Sequence, residues 1–169
     1  TFATVHRNLA LAYYNKCNLP QKAKQSMERA FALNPQDARV MMELDQLYKK
    51  LGMPQAERLA MYKAHPEEVC MRDDLYLEYV SFYNFLGDHE TALQLISERK
   101  FHPWEGGEGK VPAQWVAALV GLAKAALQKG DAQKAVELLK RATIYPHNLG
   151  EGKLAGTQEN NIYYSMGKA

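Results

Sequence analysis

The 169-residue sequence has little cysteine, with only Cys17 and Cys70. Two cysteines do not make the disulfide framework that holds small secreted domains together. No CxxC or HxxxH spacing accompanies them, so the sequence offers no pattern of metal ligands. We therefore expect reduced thiols and no metal site, a cysteine usage that fits a reducing compartment such as the cytoplasm.

A surplus of charge of one sign and a long hydrophobic run are also missing. Lysine and arginine number 21 and aspartate and glutamate 19, so the formal net charge is +2. This balance gives no electrostatic reason to expect nucleic acid or an anionic membrane as the partner. The longest apolar run, residues 116–126, contains Gly121 and Lys124 and is much shorter than the ~20 residues that a transmembrane helix needs.

Catalytic motifs are missing as well. The five histidines are scattered and none belongs to a recognisable pair of nucleophile and base. Gly106–Lys110 superficially resembles a phosphate-binding loop, but no serine or threonine follows Lys110 and no strand is predicted before it. We therefore predict a protein that is not an enzyme and binds no nucleotide or other cofactor.

The second half of the sequence contains a set of residues that occurs twice at the same spacing. Gly87-Asp88, Ala92, Pro103 and Gly107–Lys110 each recur 43 residues later, as Gly130-Asp131, Ala135, Pro146 and Gly150–Lys153. In the first half a period of 34 residues relates Tyr14, Pro20, Met27 and Ala30 to Tyr48, Pro54, Met61 and Ala64. Landmarks that stay in register over such distances indicate one structural unit used repeatedly.

The apolar spacing inside each unit predicts helices that come in pairs. The first helix has Phe2, Val5, Leu9, Ala12 and Tyr13 on one face. Prolines are placed where the first turn of a helix tolerates them, and glycines where a helix ends in the left-handed conformation. We predict pairs over about 2–35, 37–66, 73–110 and 112–153, and part of a fifth over 157–169.

Two further structural expectations concern the connections and the core. Residues 67–72 are predicted to be a connector, and Asp73 and Asp74 to cap the helix that follows. Small residues are expected where helices approach closely, and the large rings of Phe101, Trp104 and Trp115 are expected to fill gaps between layers. The small residues are Ala23, Ala30, Ala92, Ala135 and Ala142.

These offsets resemble the tetratricopeptide repeat (TPR), a helix–turn–helix unit of about 34 residues. The fourth unit supplies Leu119, Leu122, Ala123, Ala126, Gly130-Asp131, Ala135, Leu139, Ala142 and, one residue early, Pro146. The second unit supplies Met41, Leu44, Tyr48, Gly52, Met61 and Ala64. The resemblance covers nearly the whole chain. It implies an all-α, right-handed α-solenoid of four helix pairs plus part of a fifth, in a single repeat domain over 1–169 that we expect to belong to a longer chain.

The resemblance also implies a function, because many members of this family bind partner proteins or peptides on the concave face formed by the first helices. We expect a scaffold for a protein, a peptide or another domain of the same chain. One subgroup clamps a C-terminal carboxylate with lysine and asparagine, whereas the matching positions here include Glu43, Asp74 and Glu78, which would repel it. A concave face of Glu43, Asp74, Glu78 and Asn84 is expected to suit a basic or neutral partner.

The end of the sequence suggests a further contact. The fifth first-helix is expected to leave an apolar face uncovered around Ile162, Tyr163 and Met166. An uncovered apolar face can associate with a second copy. A homo-oligomer through this terminal helix is therefore one expected mode of association.

The last two junctions, Lys100–Lys110 and Tyr145–Lys153, are longer than TPR turns and are expected to lie side by side. Two interpretations are open. In the first they are framework: the glycines supply positive-φ turns, Glu108 or Glu151 accepts N–H groups at the next helix start, and Lys110 and Lys153 pair with a carboxylate or cap a helix. In the second they line a polar cleft for a peptide or a sugar, formed by His102, Trp104, Glu105, Glu108, Lys110, His147, Asn148, Glu151 and Lys153.

The repeated Pro-x-x-x-Gly-Glu-Gly-Lys junctions also look like those of large bacterial proteins of unknown function. In those proteins such repeats follow a β-rich domain similar to carbohydrate-active enzymes. This second resemblance covers about a third of the chain. It implies an alternative function as an accessory module of a carbohydrate-processing protein, whose loop edge contacts glycan or the catalytic domain.

Overall fold

A computed structural model describes residues 2–154 and 159–168. These residues form ten α-helices and one short 3-10 helix, and none of them lies in a β-strand, so the described part of the chain is all-α as predicted. The chain divides into two compact units, Thr1–Tyr76 and Leu77–Ala169.

The first unit contains five complete helices and the start of a sixth. They are α1 (Ala3–Asn15), α2 (Pro20–Leu33), α3 (Ala38–Lys50), α4 (Gln55–Ala64), α5 (Pro66–Met71) and the beginning of α6 (Asp73–Leu86). Its core is built from Ala10, Ala23, Met27, Ala30, Val40, Leu44 and Leu47. Because alanine projects only a methyl group, α1 and α2 can approach closely at Ala10, Ala23 and Ala30, which are at most 1% exposed.

Two details of this unit differ from the sequence prediction. The predicted connector 67–72 contains the helix α5, whose Pro66 is in the first turn and whose Glu67 and Glu68 favour a helix start. Part of the predicted apolar face lies in solvent: Phe2, which precedes α1, is 80% exposed and Val5 is 56% exposed, whereas Tyr13 of the same face packs against the core. Asp74 accepts a hydrogen bond from the Leu75 N–H at 2.8 Å, at the start of α6. Cys17 and Cys70 are both exposed and are not joined in a disulfide.

The second unit contains the rest of α6, α7 (His89–Glu98), α8 (Lys110–Gln128), α9 (Ala132–Ala142), a 3-10 helix (His147–Leu149) and α10 (Asn160–Met166). Helix α8 packs against both α7 and α9, and α10 packs against α8 and α9. The alanines expected at close approaches, Ala92, Ala135 and Ala142, are fully buried, and so are the rings of Phe101 and Trp115.

The terminal helix differs in part from the expectation. Ile162 was predicted to be uncovered, but it is only 1% exposed because α10 turns this side chain onto α8 and α9. Tyr163 and its neighbour Tyr164 do face solvent. The predicted partial repeat 157–169 is described only over 159–168, and its remaining residues lie outside the described part of the chain.

The turns inside the second, third and fourth helix pairs share one construction. Gly52, Gly87 and Gly130 adopt positive φ angles of 71°, 81° and 78°. In each case the N–H of the following residue bonds back to the carbonyl five residues before it, at 2.9 to 3.0 Å, which satisfies the end of the helix. The aspartates after Gly87 and Gly130 then cap the next helix, accepting N–H bonds from Thr91 and Lys134. Each Gly-Asp pair therefore ends one helix and starts the next.

Candidate functional site

The two long loops of the second unit lie directly against each other, as predicted. The Phe101 N–H donates to the Asn148 carbonyl at 2.7 Å. The Gly109 N–H, at the start of α8, donates to the Glu151 carboxylate at 2.9 Å. Glu151 thus accepts an N–H at a helix start, as the framework interpretation proposes, but the helix is α8 instead of the helix that follows Glu151.

Asn148 ties the second loop to the end of α7. Its side-chain amide donates to the carbonyls of Ile96 at 2.9 Å and Arg99 at 3.0 Å, with a longer contact of 3.4 Å to Ser97. The last carbonyls of a helix have no partner within the helix and need one from elsewhere. The second loop therefore completes the helix that precedes the first loop.

Between the loops lies a cavity of about 260 Å³, which we call the Trp104 cleft. It is lined by His102, Pro103, Trp104, Glu105, Gly107, Glu108, Val111, Leu149 and Glu151. Five of the nine residues proposed from the sequence for a polar cleft are thus brought together: His102, Trp104, Glu105, Glu108 and Glu151. The two loops contribute jointly, since Leu149 and Glu151 come from the second.

The Trp104 ring is seated on Gly107. A Cβ atom at Gly107 would lie 2.2 Å from Cε2 of the indole, which is far inside van der Waals contact. The φ angle of Gly107 is not in the left-handed region, so the close approach of the ring is what demands glycine at this position. The ring is half-buried, and it leaves the rest of its surface to the cleft.

Gly107→Ala is therefore expected to displace the Trp104 ring and to destabilise the fold by about 1–3 kcal/mol, as overpacking does. The measurement is the indole N–H signals in a nitrogen–proton NMR spectrum, where Trp104 should shift and the buried Trp115 should not. Gly152→Ala is the matched control, because a Cβ atom there meets nothing within 4 Å. An unchanged Trp104 signal in Gly107→Ala would contradict the seating of the ring.

Three glutamates, Glu105, Glu108 and Glu151, line the cleft together with the ring. Glu108 accepts the Gly106 N–H at 3.2 Å, within its own loop, and Glu105 is exposed. Within residues 2–154 and 159–168 none of the three forms an ion pair with a lysine or arginine of the chain. The cleft thus combines an aromatic face with negative charge that no cation of the described chain neutralises.

The other four proposed loop residues lie outside the cleft. Lys110 is exposed in the first turn of α8, His147 is exposed in the 3-10 helix, and Asn148 serves as the cap of α7. Lys153 pairs with Glu159 at 2.7 Å, as the framework interpretation allows. Its hydrogen bond is the main reason why the pKa of Glu159 is lowered.

The four residues proposed for a concave face belong to different units of the chain. Glu43 and Asp74 belong to the first unit, and Glu78 and Asn84 to the second. Glu43 receives two hydrogen bonds from Arg7 and one from Arg39, and Asp74 is paired in the same bidentate way with Arg72. Glu78 is half-buried on α6. The negative charges of Glu43 and Asp74 are therefore matched internally.

A larger cavity, of about 470 Å³, lies along α8 in the second unit and was not foreseen from the sequence. We call it the α8 cavity. Its walls are a face of α8 together with His89, Tyr145, Gly152, Lys153, Leu154, Glu159, Asn161 and Ile162. The signal in the sequence is the series Ala113, Ala117 and Gly121 at intervals of four: the small alanine side chains leave the volume open, and the His89 ring rests against Gly121.

No protein-family model matches the chain. Across the described residues, no helix has both the length and the apolar content to cross a bilayer. In the same residues no group of three or more histidine, cysteine, aspartate or glutamate side chains is arranged to hold a metal ion.

Proposed function

We propose that this chain is a non-catalytic, TPR-like α-solenoid scaffold that holds a partner protein, or another domain of its own chain, by a basic side chain at the Trp104 cleft. The observation that carries the proposal is the Trp104 ring, fixed on Gly107 beside three carboxylates that have no lysine or arginine partner in the described chain. The repeated Gly-Asp turns support a repeat scaffold.

The chemistry of the cleft favours an arginine or lysine of the partner. A cation over an indole face gains about 0.5–2 kcal/mol, depending on how far it is desolvated. A guanidinium that also reaches a carboxylate forms charge-assisted hydrogen bonds, which are the stronger kind. The cleft supplies both partners, and its 260 Å³ suits one inserted side chain.

The test is an NMR titration of the chain with a capped Gly-Arg-Gly peptide and with the same peptide containing citrulline, which is similar in shape but uncharged. The arginine peptide is expected to shift the Trp104 indole signal and to bind at least about fivefold more tightly than the citrulline peptide. The difference should shrink with added salt, because exposed charges are screened.

Two variants complete the test. Trp104→Leu and Glu105→Gln should each weaken the arginine peptide by about three- to tenfold. Glu137→Gln, an exposed glutamate of α9 outside the cleft, should leave it unchanged. The proposal would be refuted if the two peptides bound equally well, or if Trp104→Leu bound the arginine peptide as tightly as the unaltered chain does.

The same ring supports a second candidate function, an accessory module of a carbohydrate-processing protein. An indole face with neighbouring carboxylates and the His102 ring can also receive a sugar, whose C–H groups pack on the ring and whose hydroxyls bond to the acids. In the same titration, cellobiose or N-acetylglucosamine would then shift the Trp104 signal in a salt-independent way, and the arginine peptide would not.

A further inference from the structure

We infer that the α8 cavity is a second binding site, for a small amphipathic carboxylate whose apolar part lies along α8 and whose carboxylate reaches Lys124. This inference is independent of the proposed partner at the Trp104 cleft, because the lining of the two cavities has no residue in common.

The size and the walls of the cavity suit an apolar group. Cavities that bind small molecules have volumes of about 300–1,000 Å³ and are mainly apolar, with a few polar groups that orient the ligand. The α8 cavity holds about 470 Å³. Along its α8 wall, Ala113 and Ala117 are exposed, with Val116 beside them, and Leu154 and Ile162 contribute from other segments.

Of the charged side chains that line the cavity, one lysine has no partner within the described residues. Glu159 accepts hydrogen bonds from Lys153 at 2.7 Å and from the hydroxyls of Tyr145 and Tyr163 at 3.3 Å each. Its charge is therefore satisfied within the protein, and Lys153 is occupied with it. Lys124 lines the cavity, is exposed, and has no hydrogen-bond or ion-pair partner within the described residues. The unmatched charge of the cavity is positive, which favours an anionic ligand group.

The end of the cavity near Lys124 is preformed by His89. A Cβ atom at Gly121 would lie 2.2 Å from the His89 ring, so the imidazole rests directly on α8, one turn before Lys124. Asn84 holds the ring: its amide donates to the Gln114 backbone carbonyl at 3.0 Å, which turns its oxygen toward His89 Nδ1, also at 3.0 Å. The Nδ1–H must therefore be the donor in that contact.

The two ends of the cavity therefore differ: one is apolar and the other is positively charged. Residues 113, 117, 121 and 124 follow one another on one side of α8. The wall thus runs from the methyl groups of Ala113 and Ala117 to the ammonium of Lys124. A ligand with an apolar chain and one carboxylate matches this order, whereas an uncharged ligand of the same shape uses only part of it.

The experiment titrates the 169-residue chain with octanoate and with octanamide, its uncharged counterpart, and follows the methyl signals of Val116, Val120 and Ile162 by NMR. Both ligands are expected to shift these signals, octanoate more tightly. Lys124→Gln should weaken octanoate by about two- to fivefold, the range for an exposed ion pair, and leave octanamide unchanged. Lys129→Gln, one residue beyond the end of α8 and outside the cavity, should change neither.

A second pair of variants tests the volume itself. Ala117→Phe places a ring in the cavity and should reduce binding of both ligands more than tenfold, whereas Ala132→Phe, at an exposed position of α9, should retain it. Circular dichroism checks that both variants keep the helical fold. The inference is overturned if octanoate does not shift the cavity methyl signals, if it shifts Trp104 instead, or if Lys124→Gln affects both ligands equally.

Discussion

Arg58→Ala is expected to destabilise the first unit by about 3–5 kcal/mol, because it leaves the Asp45 carboxylate buried without its cation. Asp45 on α3 and Arg58 on α4 are only 4% and 3% exposed. The guanidinium donates twice to the carboxylate, at 2.8 and 2.7 Å, so the pair fastens the two helices together. Urea unfolding followed by circular dichroism measures the loss.

Two comparisons make this result specific. Arg39→Ala removes an arginine whose side chain is 64% exposed and whose contact with Glu43 is 3.3 Å, so it should change the free energy of unfolding by less than about 1 kcal/mol. The double variant Asp45→Leu/Arg58→Met removes both charges together and should recover much of the stability. If Arg58→Ala is no more harmful than Arg39→Ala, the buried pair does not hold α3 to α4.

Gly150→Ala is expected to separate the two long loops and to lower the stability of the second unit by about 2–4 kcal/mol. Gly150 has a φ of 76°, which costs a residue with a Cβ atom roughly 1–2 kcal/mol. The added Cβ would also lie 2.5 Å from the carbonyl oxygen of Phe101, which is backbone and cannot simply rotate away. Thermal unfolding and the Trp104 NMR signal report the change.

The loops supply two controls that separate the causes. Gly106 has a φ of 76° as well, but a Cβ atom there meets nothing within 4 Å, so Gly106→Ala measures the backbone conformation alone. Gly152 has neither constraint, and Gly152→Ala should be neutral. A Gly150→Ala variant as stable as Gly106→Ala would mean that the contact with Phe101 relaxes without loss.

The sequence predicted the parts of the fold that depend on single residues. A helix that ends at Gly87 or Gly130 and restarts at the next aspartate follows from local backbone chemistry, and the structure has both. Helix α5 was missed because six residues are too few for an apolar period to be visible. The exposure of Phe2 and Val5 was not predictable either, since a periodic pattern identifies a face of a helix but not what lies against it.

The Trp104 cleft was predicted in part, and the α8 cavity was not. The duplication indicated that the loops would be neighbours, and five of the proposed residues do meet. The roles of Asn148 and Lys153 depend on partners in other segments, at Ile96 and Glu159, which no local pattern identifies. The α8 cavity is a volume left by Ala113 and Ala117, and a sequence states which atoms are present without stating the space between them.

The long-range hydrogen bonds of Asn148 have a consequence for how the second unit unfolds. In repeat proteins each unit contacts only its neighbours, so the array can open from an end, one unit at a time. Here the Asn148 amide bonds back across 52 residues of sequence to Ile96, at the end of α7. Detachment of residues 145–154 therefore leaves the carbonyl groups at the C-terminal end of α7 without the hydrogen bonds of Asn148. We expect α7, α8 and α9 to unfold as one cooperative block. Cleavage by a protease before Asn148 is then expected to lower the stability of helices that the protease does not cut.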